Sequence, residues 1–283
     1  MGTVRVMVVS DSHLSESTPE ATANWDAVVD HVARVAPDLV VHAGDISADG
    51  SRRTDDLAYA RAQLDRLEAP LAVIPGNHDV GDLPGPGSSP GPPVHAESIA
   101  LFRAHFGADR FSVPAGRWRM VGIDAQACGA GGEVEADQWR WLEGELASLA
   151  PATPVVVVSH RPVLPAPGDR ERPAIYVRPG ARERLVDLLR RVDTRLVVSG
   201  HVHERLRHEG AGLDQLWVPT TWALGPDGGN PPLGEKQPGT TLLELHDDGR
   251  VAVTTEVPEG MSRHVIGDAI ADPYGILASP PDA

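Results

Sequence analysis

Short apolar runs that end on aspartate, asparagine or histidine recur along this chain, and they restrict its fold more than any other feature. Val4–Val9 leads into Ser10-Asp11-Ser12-His13, Leu39–Val41 into His42-Ala43-Gly44-Asp45, and Leu71–Ile74 into Pro75-Gly76-Asn77-His78-Asp79. Further on, Val155–Val158 leads into Ser159-His160, and Arg195–Val198 into Ser199-Gly200-His201-Val202-His203. Runs of this length suit buried strands and are too short for helices. Helical patterns lie between and after them, at residues 21–36, 55–67, 97–106, 135–149 and 181–191. The first is the clearest, with Trp25, Val28, Val29, Val32 and Val35 near a 3.6-residue period. Further strands are expected at 111–113 and 118–123. After Gly200 the helical patterns stop, and 206–208, 215–218, 240–245 and 251–255 read as a β-rich end. Strands alternating with helices make an α/β fold in which helices cover the sheet faces. No repeat or linker divides the chain, so residues 1–257 are read as one domain. Periodicity lapses over 258–283, which reads as a C-terminal tail.

In open α/β sheets, ligands bind at the carboxyl ends of the strands. A lone Asp or His there is ordinarily a turn residue, and a lone His-x-His can be no more than polar surface. Here the strand ends together present Asp11, His13, Asp45, Asn77, His160, His201 and His203. These donors are too many for one tetrahedral ion and suit two metals that share a ligand. Mixed nitrogen and oxygen donors without thiolate favour Mn, Fe, Zn, Co or Ni over Cu(I) or an iron–sulfur cluster. A carboxylate is the natural bridge, and Asp45, preceded by a glycine that allows close backbone approach, is the best placed.

Asp11-x-His13, Gly44-Asp45, Gly76-Asn77-His78-Asp79, His160-x-Pro162 and Gly200-His201-x-His203 resemble, in order and spacing, the signature blocks of the calcineurin-like metallophosphoesterases. The resemblance implies a four-layer αββα sandwich of two mixed β-sheets flanked by helices. It also implies two divalent or trivalent transition-metal ions (Mn, Fe or Zn). One would be held by Asp11, His13, Asp45 and His203, the other by Asp45, Asn77, His160 and His201. The activity implied is hydrolysis of a small phosphorylated substrate by a metal-bridging hydroxide. The layout is closest to the branch that cleaves cyclic nucleotides and glycerophosphodiesters. His78 would serve the leaving oxygen, with Asp79 holding its ring, and Asn77 would also contact substrate. Because the metal core is common to both, a phosphomonoesterase acting on a nucleotide or sugar phosphate stays open beside a phosphodiesterase. A non-catalytic metal-binding scaffold is the alternative outside enzymology. The full ligand set and His78 argue against it.

Two positions depart from relatives. Ala48 stands where purple acid phosphatases carry a metal-binding tyrosine, which excludes that subfamily. Arg161 follows His160 where small-substrate diesterases often carry a second histidine, and its planar fork could clamp a substrate phosphate or carboxylate. The Pro- and Gly-rich stretches 81–94, 161–180 and 225–239 read as long loops. The last holds Lys236, the only lysine, which could greet an anionic substrate. Trp222 and His42 are read as packed side chains.

Acidic residues outnumber basic ones by 40 to 25, a net charge of -15, which disfavours nucleic acid and anionic membranes as partners. It does not disfavour a small anion, since bound metal reverses the local sign. A single cysteine, Cys128, fits a reducing compartment. No apolar run is long enough to span a bilayer, so a cytoplasmic protein is expected. Family members that pair through their C-terminal portion make a homodimer a further expectation.

Overall fold

The computed structural model describes residues 2–85, 91–169, 174–226 and 231–268. In the first half, β1 (Thr3–Val9), β2 (Leu39–His42) and β3 (Leu71–Val73) alternate with helices α1 (Pro19–Val35), α2 (Thr54–Leu64), α3 (Asn77–Val80) and α4 (Ala96–Phe106). Then come β4 (Phe111–Ala115), β5 (Trp118–Ile123), α5 (Gly132–Ser148), β6 (Pro154–Ser159), α6 (Pro179–Leu189) and β7 (Asp193–Ser199). The remainder is β-rich: β8 (Leu206–Gly210), β9 (Leu213–Trp217), β10 (Ala223–Leu224), β11 (Thr240–His246), β12 (Val251–Glu256) and β13 (His264–Val265).

All strands but β10 and β13, which pair with each other, form two mixed sheets. One has the order β12-β11-β1-β2-β3, the other β4-β5-β6-β7-β9-β8. β1, β2 and β3 run parallel, as do β5, β6, β7 and β9, and the antiparallel strands lie to the outside.

Alternation along the strands explains the layering. Val6 and Val8 of β1 pack with Val156 and Val158 of β6 between the two sheets. Met7 and Val9 point the other way, onto Trp25, Val28 and Val32 of α1. Val155 and Val157 of β6 likewise pack on Leu142 and Leu146 of α5 and Leu185 of α6. Strands covered on both faces must be apolar at every position, which is why β6 reads as an uninterrupted valine run. The result is the expected αββα sandwich. Each wholly buried valine contributes about 1.5–3 kcal/mol by leaving water.

Of the segment 258–283, residues 258–268 are tied to the domain and residues 269–283 lie outside the described residues. Asn24 of α1 accepts a hydrogen bond from Ser262 N at 2.8 Å and donates to Ser262 O at 3.0 Å and to Trp222 O at 3.1 Å. β13 then pairs in parallel with β10, and Val265 and Ile266 are buried. Among the described residues no helix is long and apolar enough to cross a membrane.

Candidate metal centre

The carboxyl ends of β1, β2 and β3 meet those of β6 and β7 across the seam between the sheets. Asp11 and His13 follow β1, Asp45 follows β2, and Asn77 opens α3 after β3; His160 follows β6, and His201 and His203 follow β7. Asp11, His13, Asp45, His201 and His203 have φ values of 54°, 44°, 52°, 71° and 58°. The left-handed region costs an L-residue roughly 1–2 kcal/mol, so surrounding bonds must impose it. Asp11 N donates to Gly44 O at 3.0 Å, His13 N to Asp45 O at 3.1 Å, and Val202 N to Gly200 O at 2.8 Å. Close packing of backbone demands glycine beside these turns. A Cβ on Gly44 would lie 2.5 Å from the His160 ring, and one on Gly200 1.9 Å from Ser10 Oγ.

The donor atoms crowd together. His203 Nε2 lies 3.4 Å from Asp11 Oδ1 and 3.3 Å from His13 Nε2. His160 Nε2 lies 3.2 Å from both Asp45 Oδ2 and Asn77 Oδ1, and His13 Nε2 is 3.8 Å from the same Asp45 oxygen. Two donors about 2.1 Å from one ion sit about 3.0–3.5 Å apart when their angle is near tetrahedral or square. The donors of Asp11, His13 and His203, of His13, Asp45 and His78, and of Asp45, His160 and His201 each fall within 4.8 Å of one another.

The imidazoles are oriented by backbone carbonyls. His160 Nδ1 faces Ala43 O at 2.8 Å, His201 Nε2 faces Ala174 O at 2.9 Å, and His203 Nδ1 faces Ala223 O. In a neutral ring this places the proton on the carbonyl side and turns the other nitrogen's lone pair to the cluster, as a cation requires.

Electrostatics point the same way. Burial opposes ionisation of Asp45 and Asp11, yet His160, beside Asp45, and His203, beside Asp11, hold both carboxyls well below the usual range. Conversely, burial works against a proton on His160, but the Asp45 charge lifts it to about 9; Asp11 raises His203 similarly. His13 and His201 are pushed well down, first by burial, then by His78 and Arg161 respectively. Two buried carboxylates thus draw positive charge into a set of donors suited to transition metals. The residues fit two such ions, and Asp45 belongs to two of the three donor groups.

The remaining expected residues are placed as follows. His78 packs edge-on against His13, with ring centroids 4.7 Å apart, and its Nδ1 lies 2.9 Å from Ala48 O. The Asp79 carboxylate, expected to hold that ring, instead accepts from Ser47 N, Ser47 Oγ, Ile46 N and Gly76 N at 2.6–3.1 Å, and so secures the Asp45 turn. Burial, then the Asp45 charge, raise Asp79 to about 6. Arg161 is only 2% exposed and faces inward, where it engages Asp82, Gln126 and the Ala174 carbonyl rather than an open cleft. Lys236 Nζ donates to Pro226 O at 3.0 Å, on the rim of the site. Trp222 is buried and its ring lies 4.8 Å from that of His13, and His42 is buried with Nε2 2.8 Å from Ser12 Oγ. Val202, Pro226 and Ile266 form an apolar side to the pocket above the donors.

Several participants gave no sequence signal. Orienting carbonyls carry no residue identity. Asp82 and Gln126 lie 79 and 35 residues from the arginine they hold. Ile266 falls in the segment read as tail, although its apolar neighbour Val265 was a hint.

Comparison with known proteins agrees with this geometry. The model of the calcineurin-like phosphoesterase family matches residues 4–205, which include every donor. The 3',5'-cyclic adenosine monophosphate phosphodiesterase CpdA of Pseudomonas aeruginosa is 31% identical over 261 residues, 88% of this chain and 88% of that protein. A dimetal phosphatase from Danio rerio has a similar fold, with a TM-score of 0.56 at 18% identity, covering 90% of this chain and 99% of that one. A purple acid phosphatase from yellow lupin superposes at a TM-score of 0.63 and 17% identity, over 98% of this chain and 55% of that one. With the matched residues spanning both sheets and the whole donor cluster, this chain belongs to the calcineurin-like phosphoesterases.

Proposed function

We propose that this phosphoesterase is a dinuclear-metal phosphodiesterase of small substrates, with a 3',5'-cyclic nucleotide as the first to test. The observation that carries it is Asp45 Oδ2, which lies within 3.8 Å of His13 Nε2 and 3.2 Å of His160 Nε2 and so joins donors from both sheets. In this reading Asp11, His13, Asp45 and His203 hold one ion, and Asp45, Asn77, His160 and His201 the other. Mn, Fe or Zn suits such donors. When bound, a pair of ions supplies the Lewis acidity that activates water and offsets charge on the phosphoryl oxygens.

The chain's own residues do the rest. His78 has one ring nitrogen on the Ala48 carbonyl, and in the doubly protonated ring the other nitrogen would give its proton to the departing alkoxide. Asn77 orients a phosphoryl oxygen through its amide. The apolar side made by Val202, Pro226 and Ile266 suits a phosphorus that carries an uncharged organic group on each ester oxygen. The similarity to the cyclic-nucleotide enzyme from Pseudomonas aeruginosa directs the choice of substrate. One buried cysteine is consistent with a reducing, cytoplasmic setting.

The test is kcat/KM of Mn-loaded protein on bis(p-nitrophenyl) phosphate, p-nitrophenyl phosphate and 3',5'-cyclic AMP, with His203→Ala as control. A diester preference that disappears in the variant is expected. A monoester preference would replace this reading with a phosphomonoesterase. The role of His78 has its own signature. His78→Ala should lower kcat about 10²–10⁴-fold on cyclic AMP, but far less on the nitrophenyl diester, whose leaving group needs no proton. Equal losses on both would remove the proton-donor role.

A further inference from the structure

We infer that Arg161 is a positioning residue, which fixes the His201 ring through the Ala174 carbonyl and is itself fixed by Asp82. The inference rests on the reading of His201 as a metal donor.

Each nitrogen of the Arg161 fork donates to an acceptor that does not line the pocket. Nε donates to Gln126 Oε1 at 3.2 Å, one terminal nitrogen to Asp82 Oδ1 and the other to Ala174 O. Arg161, Asp82 and Gln126 are 2%, 4% and 0% exposed. Burying an arginine–aspartate pair carries a desolvation cost that often equals or exceeds what the pair returns in stability. Its placement one residue after a donor histidine therefore points to geometry rather than to stability.

The shared carbonyl shows what geometry is at stake. Ala174 O receives both the Arg161 guanidinium and His201 Nε2, the latter at 2.9 Å. A carbonyl has two lone pairs and can serve both. Its position decides where the Nε2 proton of His201 points, and hence where the other ring nitrogen faces. Ala174 belongs to the proline-rich stretch between β6 and α6, and among the described residues it pairs with no strand. Arg161 holds its carbonyl directly, while the residues after it are held by Tyr176 packed on Trp217 and by the bond from Val177 N to Pro162 O at 3.0 Å. Asp82 in turn sits on the loop after α3, which Arg178 also grips through Leu83 O at 2.7 Å. A run of contacts, Asp82 to Arg161 to Ala174 to His201, thus links the loop after β3 to the donor after β7. A planar fork is needed to serve three acceptors in fixed directions, which lysine cannot do.

The test uses the full chain, with Mn²⁺ as probe. Metal stoichiometry and affinity are measured by calorimetry, the His201 ring by nitrogen NMR of the metal-free protein, and turnover with bis(p-nitrophenyl) phosphate at low and saturating Mn²⁺. For Arg161→Met, one Mn²⁺ should bind about 10–100-fold more weakly, the loss usual when a ligand's outer partner is removed. The His201 signals should show mixed ring states. kcat should fall at low Mn²⁺ and recover at high Mn²⁺, with KM unchanged. Arg161→Lys should behave alike. If Arg161→Met does not fold, Asp82→Asn, which keeps the arginine but weakens its anchor, should give a smaller loss of the same kind. A raised KM with unaltered Mn²⁺ affinity and an unaltered His201 ring would overturn the inference and return Arg161 to substrate. Wild-type protein that takes up fewer than two Mn²⁺ would instead remove the dinuclear reading on which it stands.

Discussion

His160 holds a proton where a cation is to sit. Asp45 lifts His160 to about 9, and Asp11 raises His203, against the pull of burial. At about 9, the His160 proton stays bound at neutral pH, so a cation must displace it. Metal affinity should therefore rise with pH through the range 7 to 9, and uptake at pH 7 should release protons. Calorimetry in two buffers of different ionisation enthalpy would show this as a buffer-dependent heat; equal heats would contradict it. At this scale the donors were legible from sequence, because each stands directly after an apolar run. The left-handed backbone of Asp11, His13, Asp45, His201 and His203 was not, since Asp and His turn residues look the same whether φ is positive or negative. Nor was the role of Arg161 legible, because its partners Asp82 and Gln126 are close only after folding.

Among the elements, the longer strands and helices follow from pattern alone, and α1 begins and ends within two residues of the periodic stretch 21–36. α3, β10 and β13 were missed, being two to four residues long, too short for any period to show. Yet Pro226 and Ile266 of the apolar side lie just past β10 and β13, and Asn24 fastens the residues that lead into both strands. Asn24→Ala leaves Ser262 N and O and Trp222 O without their partner, at about 1–3 kcal/mol. The variant should raise KM for a diester several-fold more than it lowers kcat, and a pure loss in kcat would contradict a wall role. β5 also ends on a carboxylate, Asp124, which lies apart from the donors and accepts bonds from Gln126 N and Ala127 N at 2.9 and 3.2 Å. Burial, then the nearby Asp109 charge, raise it from 3.8 to about 7. A raised carboxyl pKa gives stability that is complete below pH 4 and lost as pH rises through 7. Asp124→Asn should therefore gain in Tm relative to wild type above pH 7, with the gain shrinking towards pH 4. A constant difference across that range would rule out the titration.

For the molecule as a whole, the cluster draws on both sheets: Asp11, His13, Asp45 and Asn77 hang from one, His160, His201 and His203 from the other. Ions bound there join the two layers, and binding to the folded state alone adds RT ln(1 + [L]/Kd), about 2.7 kcal/mol at a hundredfold excess over Kd. Chelation should lower Tm by several degrees, and Mn²⁺ should restore it. An unchanged Tm would mean that the cluster does not bind metal tightly. The sandwich itself could be expected from strand–helix alternation and apolar strands, whereas the way the final described residues return to the pocket depends on contacts more than 200 residues apart. The chain's amino-acid usage has a practical side as well. Lys236 is the only side-chain amine, and it rests against Pro226 on the rim of the pocket; the only thiol, Cys128, is buried, and burial pushes its pKa well up. Besides the chain's α-amine, an amine-reactive fluorophore would therefore find one target, the side chain beside the site. Its emission would report ligand entry directly, and cysteines introduced elsewhere would accept a second dye for distance measurements.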